Sequence, residues 1–181
     1  MTCIVGIEHK DGVLLAADSM SSNHYSADVA SVAKLFRVGQ HGFGFTSSWR
    51  MGDLLRYHLA LPDPPAKDLH RHLVTVAIPA IRACLKEGGF ATVNNGVETG
   101  GSFLIAVRGQ LFTIDTDFQV ARSSHKYDAV GSGSLAALGA LSATIGGDPR
   151  ARATAALVAA EKHTCHVRRP WRFLSTTTET A

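Results

Sequence analysis

The chain has 181 residues, 45% of them hydrophobic and 18% charged, enough for one globular domain, residues 1–181, with a sizeable core and no need of a second. Eighteen Lys plus Arg stand against fifteen Asp plus Glu, and the resulting +3 is scattered along the chain, which argues against a nucleic-acid partner. Three widely spaced cysteines do not make a disulfide framework, no apolar run reaches the ~18 residues of a membrane helix, and no signal peptide precedes Cys3, so a soluble cytoplasmic protein is expected.

Two apolar runs open the chain, Cys3 to Ile7 and Val13 to Ala17, around Lys10-Asp11-Gly12. Asp-Gly between such runs predicts a hairpin that brings Thr2 and Asp18 to the same open end. Ser19 to Ser31 is small and polar and reads as a loop, with Asn23, His24 and Tyr25 at its tip. Lys34 to Val38 and Phe43 to Ser47 form a second predicted hairpin about Gly39-Gln40-His41-Gly42. Ser47 or Ser48 then caps a helix through Met51, Leu54, Leu55 and His58, which ends before Pro62-Asp63-Pro64-Pro65. A second helix begins at Asp68 and stops at Gly88-Gly89, with Pro79 expected to kink or split it.

Thr92 to Gly101 has no hydrophobic period and reads as a loop. Ser102 to Val107 and Leu111 to Asp115 make a third hairpin, Tyr127 to Val130 a further strand, and Gly131-Ser132-Gly133 a turn. Two Ala-rich helices follow, Leu135 to Ile145 and Pro149 to His163, the second capped by Asp148. Trp171 to Leu174 is the last candidate strand, and residues 175–181 read as a loose tail. Paired helices between groups of hairpins predict an α+β protein: a four-layer αββα sandwich, two antiparallel sheets face to face with helices outside.

Several short segments recur in the order and spacing of a known family. They are Thr2-Cys3-Ile4-Val5-Gly6, Asp11-Gly12-Val13, Ala16-Ala17-Asp18-Ser19, Lys34-Leu35-Phe36, Gly44-Phe45-Thr46-Ser47-Ser48 and Ala129-Val130-Gly131-Ser132-Gly133. Together they resemble the proteasome β-subunits and HslV, which are N-terminal-nucleophile hydrolases, and most closely the short bacterial or phage-type homologues. The resemblance runs from Thr2 to about His166.

It implies a threonine-type endopeptidase. Removal of Met1 would leave Thr2 with a hydroxyl nucleophile and an α-amine base in one residue. Lys34 would stabilise the alkoxide-like state, Asp18 would hold Lys34, the Ser48 N–H would bind the oxyanion, and Ser132 would order the proton-transfer water. The positions implied for substrate binding are Ser21, Val32, Phe36, Thr46, Arg50 and Leu54, of which Val32, Phe36 and Leu54 favour an apolar side chain and Arg50 an acidic one. Family members enclose such sites in homo-oligomeric rings or stacked rings that admit peptide or unfolded protein. With no ATP-binding motif in the chain, unfolding would fall to a separate ATPase. Trp49, Met51 and Val74 are candidate ring contacts.

The chain also departs from the family. Ser47-Ser48 stands where Ala-Gly is usual, and His163 and His166 stand where an Asp and a Ser three residues on would support the threonine. Either that support is rebuilt around imidazole or it is weakened. No cofactor is expected. His163, Cys165 and His166 are too close in sequence, with no second cluster, to make a metal site. Cys3, next to Thr2 on a strand, points to the opposite face, and Cys84 reads as core. Taken singly, Thr2 is an ordinary strand start, Asp18-Ser19 a turn and Lys34 a solvated edge charge; only their joint spacing points to chemistry. Two other functions fit the same chain: a scaffold or interaction protein that has lost turnover, and an amidase of the same mechanistic class acting on a small amide.

Overall fold

The computed structural model describes residues 2–23 and 25–178, with the backbone alone at Asn94. Met1, His24 at the predicted loop tip and residues 179–181 of the predicted tail lie outside the described residues. In chain order the elements are β1 (Ile4–His9), β2 (Gly12–Ala17), β3 (Met20–Ser22), β4 (Ala27–Val29), β5 (Leu35–Val38), β6 (His41–Phe45) and helix α1 (Trp49–Tyr57). Helix α2 (Leu69–His72) runs through a π-helical turn (Leu73–Ala77) into α3 (Ile78–Glu87). There follow β7 (Thr92–Asn94), β8 (Val97–Thr99), β9 (Phe103–Val107), β10 (Gln110–Ile114), β11 (Val120–Ala121), β12 (Tyr127–Val130), α4 (Ser134–Ala143), α5 (Pro149–His163) and β13 (Arg172–Thr177).

One antiparallel sheet has the order β12-β1-β2-β13 and the other β11-β10-β9-β6-β5. Both faces of each sheet are apolar, and the two-residue period of a strand sends alternate side chains to different layers. In β1, Ile4 meets Leu15, Leu104 and Leu111 between the sheets, whereas Val5 and Ile7 pack under α4 and α5. Those helices bury Ala137, Ala153, Ala156 and Ala160, small side chains that let them approach the sheet and each other closely. On the far side Met51, Leu55, Leu73, Ile81 and Leu85 of the α1 to α3 layer cover Phe43, Phe103 and Phe112 of the second sheet. The four-layer αββα sandwich is therefore as expected.

Several local expectations are corrected. Ser19 to Ser31 is not a plain loop, because Met20–Ser22 pairs with Ala27–Val29 across a turn in which Asn23 Oδ1 accepts from the Tyr25 and Ser26 N–H groups. The predicted loop from Thr92 to Gly101 contains the β7-β8 hairpin, closed by Asn95-Gly96 with φ of 50° and 79°, the left-handed pair that a two-residue turn requires. The strand near Trp171 runs on through Ser175, Thr176 and Thr177, so these are not tail: they pair with Leu14, Val13 and Gly12.

The long helix is divided as Pro79 predicts: it passes through a π-helical turn, and Pro79 sits in the first turn of α3. The missing N–H is absorbed by the π turn just ahead of it, where the Ile78 N–H reaches back to the Leu73 carbonyl. Ser48 occupies the cap position of α1, yet its side chain makes no capping bond. Met51 is fully buried in the helix-sheet core, which removes it from the candidate ring contacts, while Val74 is 44% exposed. Among the described residues no helix is long and apolar enough to cross a membrane.

Candidate active site

Register places the first site residues. Ile4 pairs with Ala17, so Thr2, just ahead of β1, and Asp18, just after β2, meet at the open end of the hairpin, where the Asp18 N–H also donates to the Cys3 carbonyl at 3.3 Å. Lys34 precedes β5 in the other sheet and enters the same end from across the sandwich. All three are buried, at 2%, 0% and 3% exposure.

Their polar atoms converge on one another. The Thr2 hydroxyl donates to Asp18 Oδ1. Lys34 Nζ donates to Thr2 Oγ1 at 2.6 Å and to Asp18 Oδ1 at 2.8 Å. The carboxylate is fixed from behind by main chain, accepting from the Cys3 N–H at 3.1 Å on Oδ1 and from the Met20 N–H at 2.9 Å on Oδ2. Burial pushes the Lys34 ammonium below its ordinary range, while the charge and hydrogen bond of Asp18 act against that shift. Thr2 Oγ1 is thus an oxygen with a cation donating into its lone pair and a carboxylate accepting its proton.

Thr2 is also gripped through its carbonyl, which accepts from the Gly133 N–H at 3.2 Å and from Ser132 Oγ at 3.3 Å. Ser132 therefore addresses the carbonyl of Thr2. Gly131, at φ 100°, closes over the same oxygen, and a Cβ there would collide with it. Cys3 turns away into the core under α4 and α5; burial, with a smaller contribution from Asp18, pushes its thiol up to about 12, so it is no rival nucleophile.

The remaining predicted residues divide. Thr46 lines a cavity of about 70 Å³ beside Thr2 and Lys34, together with Met20, Ser22, Phe45, Ser47, Ser48 and Trp49. Ser48 lies in this wall, but its N–H donates to the Thr46 carbonyl at 2.7 Å, in a tight turn where Ser47 adopts φ 68°. The Ser47 hydroxyl holds that turn, pairing with Thr46 Oγ1 at 3.1 Å and accepting from the Ser102 N–H at 3.3 Å.

The structure does not bring the other predicted binding residues into that wall. Ser21 is half-buried in β3 and Val32 is 44% exposed. Phe36 is in the core with its ring stacked on Phe43, Arg50 bonds the Gly88 carbonyl, and Leu54 lines a separate groove between α1 and α3. His163 is exposed at the end of α5 and His166 half-buried just beyond; among the described residues neither hydrogen-bonds Thr2, Asp18 or Lys34. The segment after α5 does reach the site's edge, since the Ser19 N–H donates to the Arg168 carbonyl at 3.0 Å and the Ser19 hydroxyl to the Pro170 carbonyl at 2.6 Å.

Sequence reasoning missed Met20, Ser22, Phe45 and Trp49 as wall residues, because an apolar residue at a strand end or helix start carries the same pattern as core and a serine in a short polar stretch the same pattern as loop. Cys84 is half-buried against the same groove as Leu54. Among the described residues no group of three or more His, Cys, Asp or Glu could hold a metal ion.

No protein-family model and no curated protein sequence matches the chain. Solved structures do. Thiobacillus denitrificans BPH, a bacterial proteasome homologue, in complex with epoxomicin has a TM-score of 0.82 at 22% identity, covering 98% of this chain and 100% of that one. A second structure of Thiobacillus denitrificans BPH gives 0.81 at 20% identity, covering 98% and 100%. Eukaryotic HslV from Trypanosoma brucei gives 0.67 at 17% identity, covering 95% and 97%. The likeness is one of fold, and it extends over the whole sandwich: this chain has the N-terminal-nucleophile-hydrolase architecture of these proteasome-like proteins.

Proposed function

We propose that the chain is a threonine-type endopeptidase of the proteasome-like family, in which Thr2, freed of Met1, is the nucleophile. The observation that carries this reading is the contact of Lys34 Nζ with Thr2 Oγ1 at 2.6 Å, inside a buried site where Asp18 binds both groups. Oγ1 attacks the peptide carbonyl carbon, and its proton passes to the α-amine of Thr2. The Lys34 ammonium stabilises the charge that develops on Oγ1. The C–N bond then breaks, the leaving amine takes the proton, and water hydrolyses the ester left on Thr2.

The fold similarity to a proteasome homologue that binds epoxomicin supports a peptide-like substrate and a homo-oligomeric ring or stacked rings. A separate ATPase would supply unfolded protein. One observation favours the second reading, a scaffold without turnover: the Ser48 N–H, the donor an oxyanion needs, is spent on Thr46. For catalysis the Ser47-Ser48 peptide must turn its N–H toward Thr2.

Intact mass measurement after treatment with a peptide epoxyketone, which needs a hydroxyl and a free amine on one residue, separates the two. The peptidase reading expects loss of Met1 and addition of one inhibitor. It expects no addition to Thr2→Ala, and addition slowed about 10²-fold or more in Lys34→Ala. A mass that retains Met1, or that stays unlabelled after its loss, sinks the peptidase and leaves the scaffold.

A further inference from the structure

The space beside Thr2 Oγ1 is small and its far wall is aromatic. The cavity of about 70 Å³ is bounded on that side by Trp49, the first residue of α1, and by Phe45 at the end of β6. The two rings meet edge to face, with centroids 5.4 Å apart and planes at 77°. Phe45 is not free to retreat, and Trp49 is half-buried against it. Phe45 is 3% exposed, with Phe36 6.2 Å away and the backbone of Gly52 beneath its ring. Trp49 lies against Phe45 on one side and 5.8 Å from Lys34 Nζ on the other. The residues that would have made a wider apolar pocket are committed elsewhere: Phe36 to Phe43, Leu54 to the groove between α1 and α3.

Volume then decides what fits. A cavity of ~150 Å³ takes one benzene ring, and a liquid water occupies ~30 Å³. With the Ser47-Ser48 turn as it stands, about 70 Å³ has room for a methyl or hydroxymethyl group and a water, and a ring or branched chain would need the aromatic side of the wall to move. Pockets for larger ligands are ~300 Å³ or more.

Building on Thr2 as nucleophile, we propose that Trp49, braced by Phe45, is a specificity gate that limits the residue on the acyl side of the cleaved bond to Gly, Ala or Ser. The indole excludes larger side chains by occupying the space they need. Substrates are therefore peptides cleaved after small residues. The gate is separate from the bond-breaking groups, since Trp49 contributes bulk and Lys34 contributes charge.

The test uses the full chain and three peptide epoxyketones that differ only in the terminal side chain, Ala, Leu or Phe, with labelling rates read by intact mass. Removing Trp49 also alters the surroundings of Lys34, but such a change scales the three rates together and cancels in their ratio. Wild type is expected to label with Ala at least about tenfold faster than with Leu or Phe, the scale of discrimination a hydrophobic pocket gives to a misfitting side chain. Trp49→Ala should bring the ratio to unity or invert it. Trp49→Phe, which keeps an aromatic contact with Phe45 should the alanine variant not fold, is expected to fall between.

Leu or Phe labelling wild type as fast as Ala overturns the gate while leaving Thr2 as nucleophile. An Ala preference that survives both substitutions does the same. Failure of all three peptides to label overturns the gate and the peptidase together.

Discussion

At the scale of single residues, the site depends on how closely the chain returns to Thr2. Gly131 holds φ 100° and lies against the Thr2 carbonyl oxygen, so Gly131→Ala brings both an unfavourable backbone conformation and a collision with main chain. Neither partner can give way, because the same oxygen is held by Ser132 and Gly133. Gly131→Ala should therefore lower stability by about 2 kcal/mol or more in denaturant titration, and epoxyketone labelling should fall with it; a variant as stable as wild type would show the turn to be loose. The meeting of Thr2 and Asp18 was legible in the sequence because the Asp11-Gly12 hairpin brings them to one open end, whereas Lys34 reads singly as a solvated edge charge and was singled out only through the family resemblance. The Ser47-Ser48 turn was not legible: its left-handed serine is a departure that no residue pattern announces. Phe45 and Trp49 were hidden for the opposite reason, since their apolar character belongs equally to a core.

Among the elements, α1 is held at its depth by Gly52. Alanine there would gain ~1 kcal/mol of helix propensity. Its methyl, however, would drive into the Phe45 ring, which cannot move without displacing Trp49 or Phe36. The expected net effect of Gly52→Ala is a loss of ~1–3 kcal/mol by thermal or chemical unfolding, and an unchanged midpoint would mean that the aromatic wall yields. The two short hairpins were missed for different reasons. Met20–Ser22 and Ala27–Val29 are too short and polar to alternate, whereas Asn95-Gly96 carried a turn signal without apolar flanks to support it. The last strand outran its prediction because Ser175 to Thr177 earn their place from backbone pairing with β2 and not from hydrophobicity, although Thr176 is only 2% exposed.

Across the whole molecule, the seam between the second sheet and its helices contains a buried pair of histidines. His41 of β6 is fully buried, its ring stacked 5.8 Å from that of His72, and among the described residues neither ring nitrogen has a hydrogen-bond partner of good geometry. Burial, and secondarily His72, lowers its pKa from an ordinary 6.5 to about 4, with the Val38 backbone and then Asp63 acting in the other direction. The unfolded chain therefore binds a proton that the folded chain refuses between these values. The stabilising contribution is complete above pH 6.5 and is lost as pH falls toward about 4, at ~1.4 kcal/mol per unit, roughly 3 kcal/mol in all. Urea titrations at pH 7 and pH 4 should show that loss in wild type and much less of it in His41→Phe; parallel losses in both would assign acid sensitivity to other groups. The layered architecture itself was legible, because hairpins with two apolar faces have no other way to bury both. Which polar residues would be trapped between layers was not, since that depends on the seam between a sheet and helices remote in sequence.

The clasp on the Thr2 carbonyl by Ser132 and Gly133 has a consequence for maturation. Both bonds lie downstream of the link that joins Thr2 to its predecessor, so neither of them is lost when that link is cut. On the proposed mechanism, trimming of the start residue by an aminopeptidase would keep both of these bonds, so the nucleophile would be armed with its carbonyl already clasped.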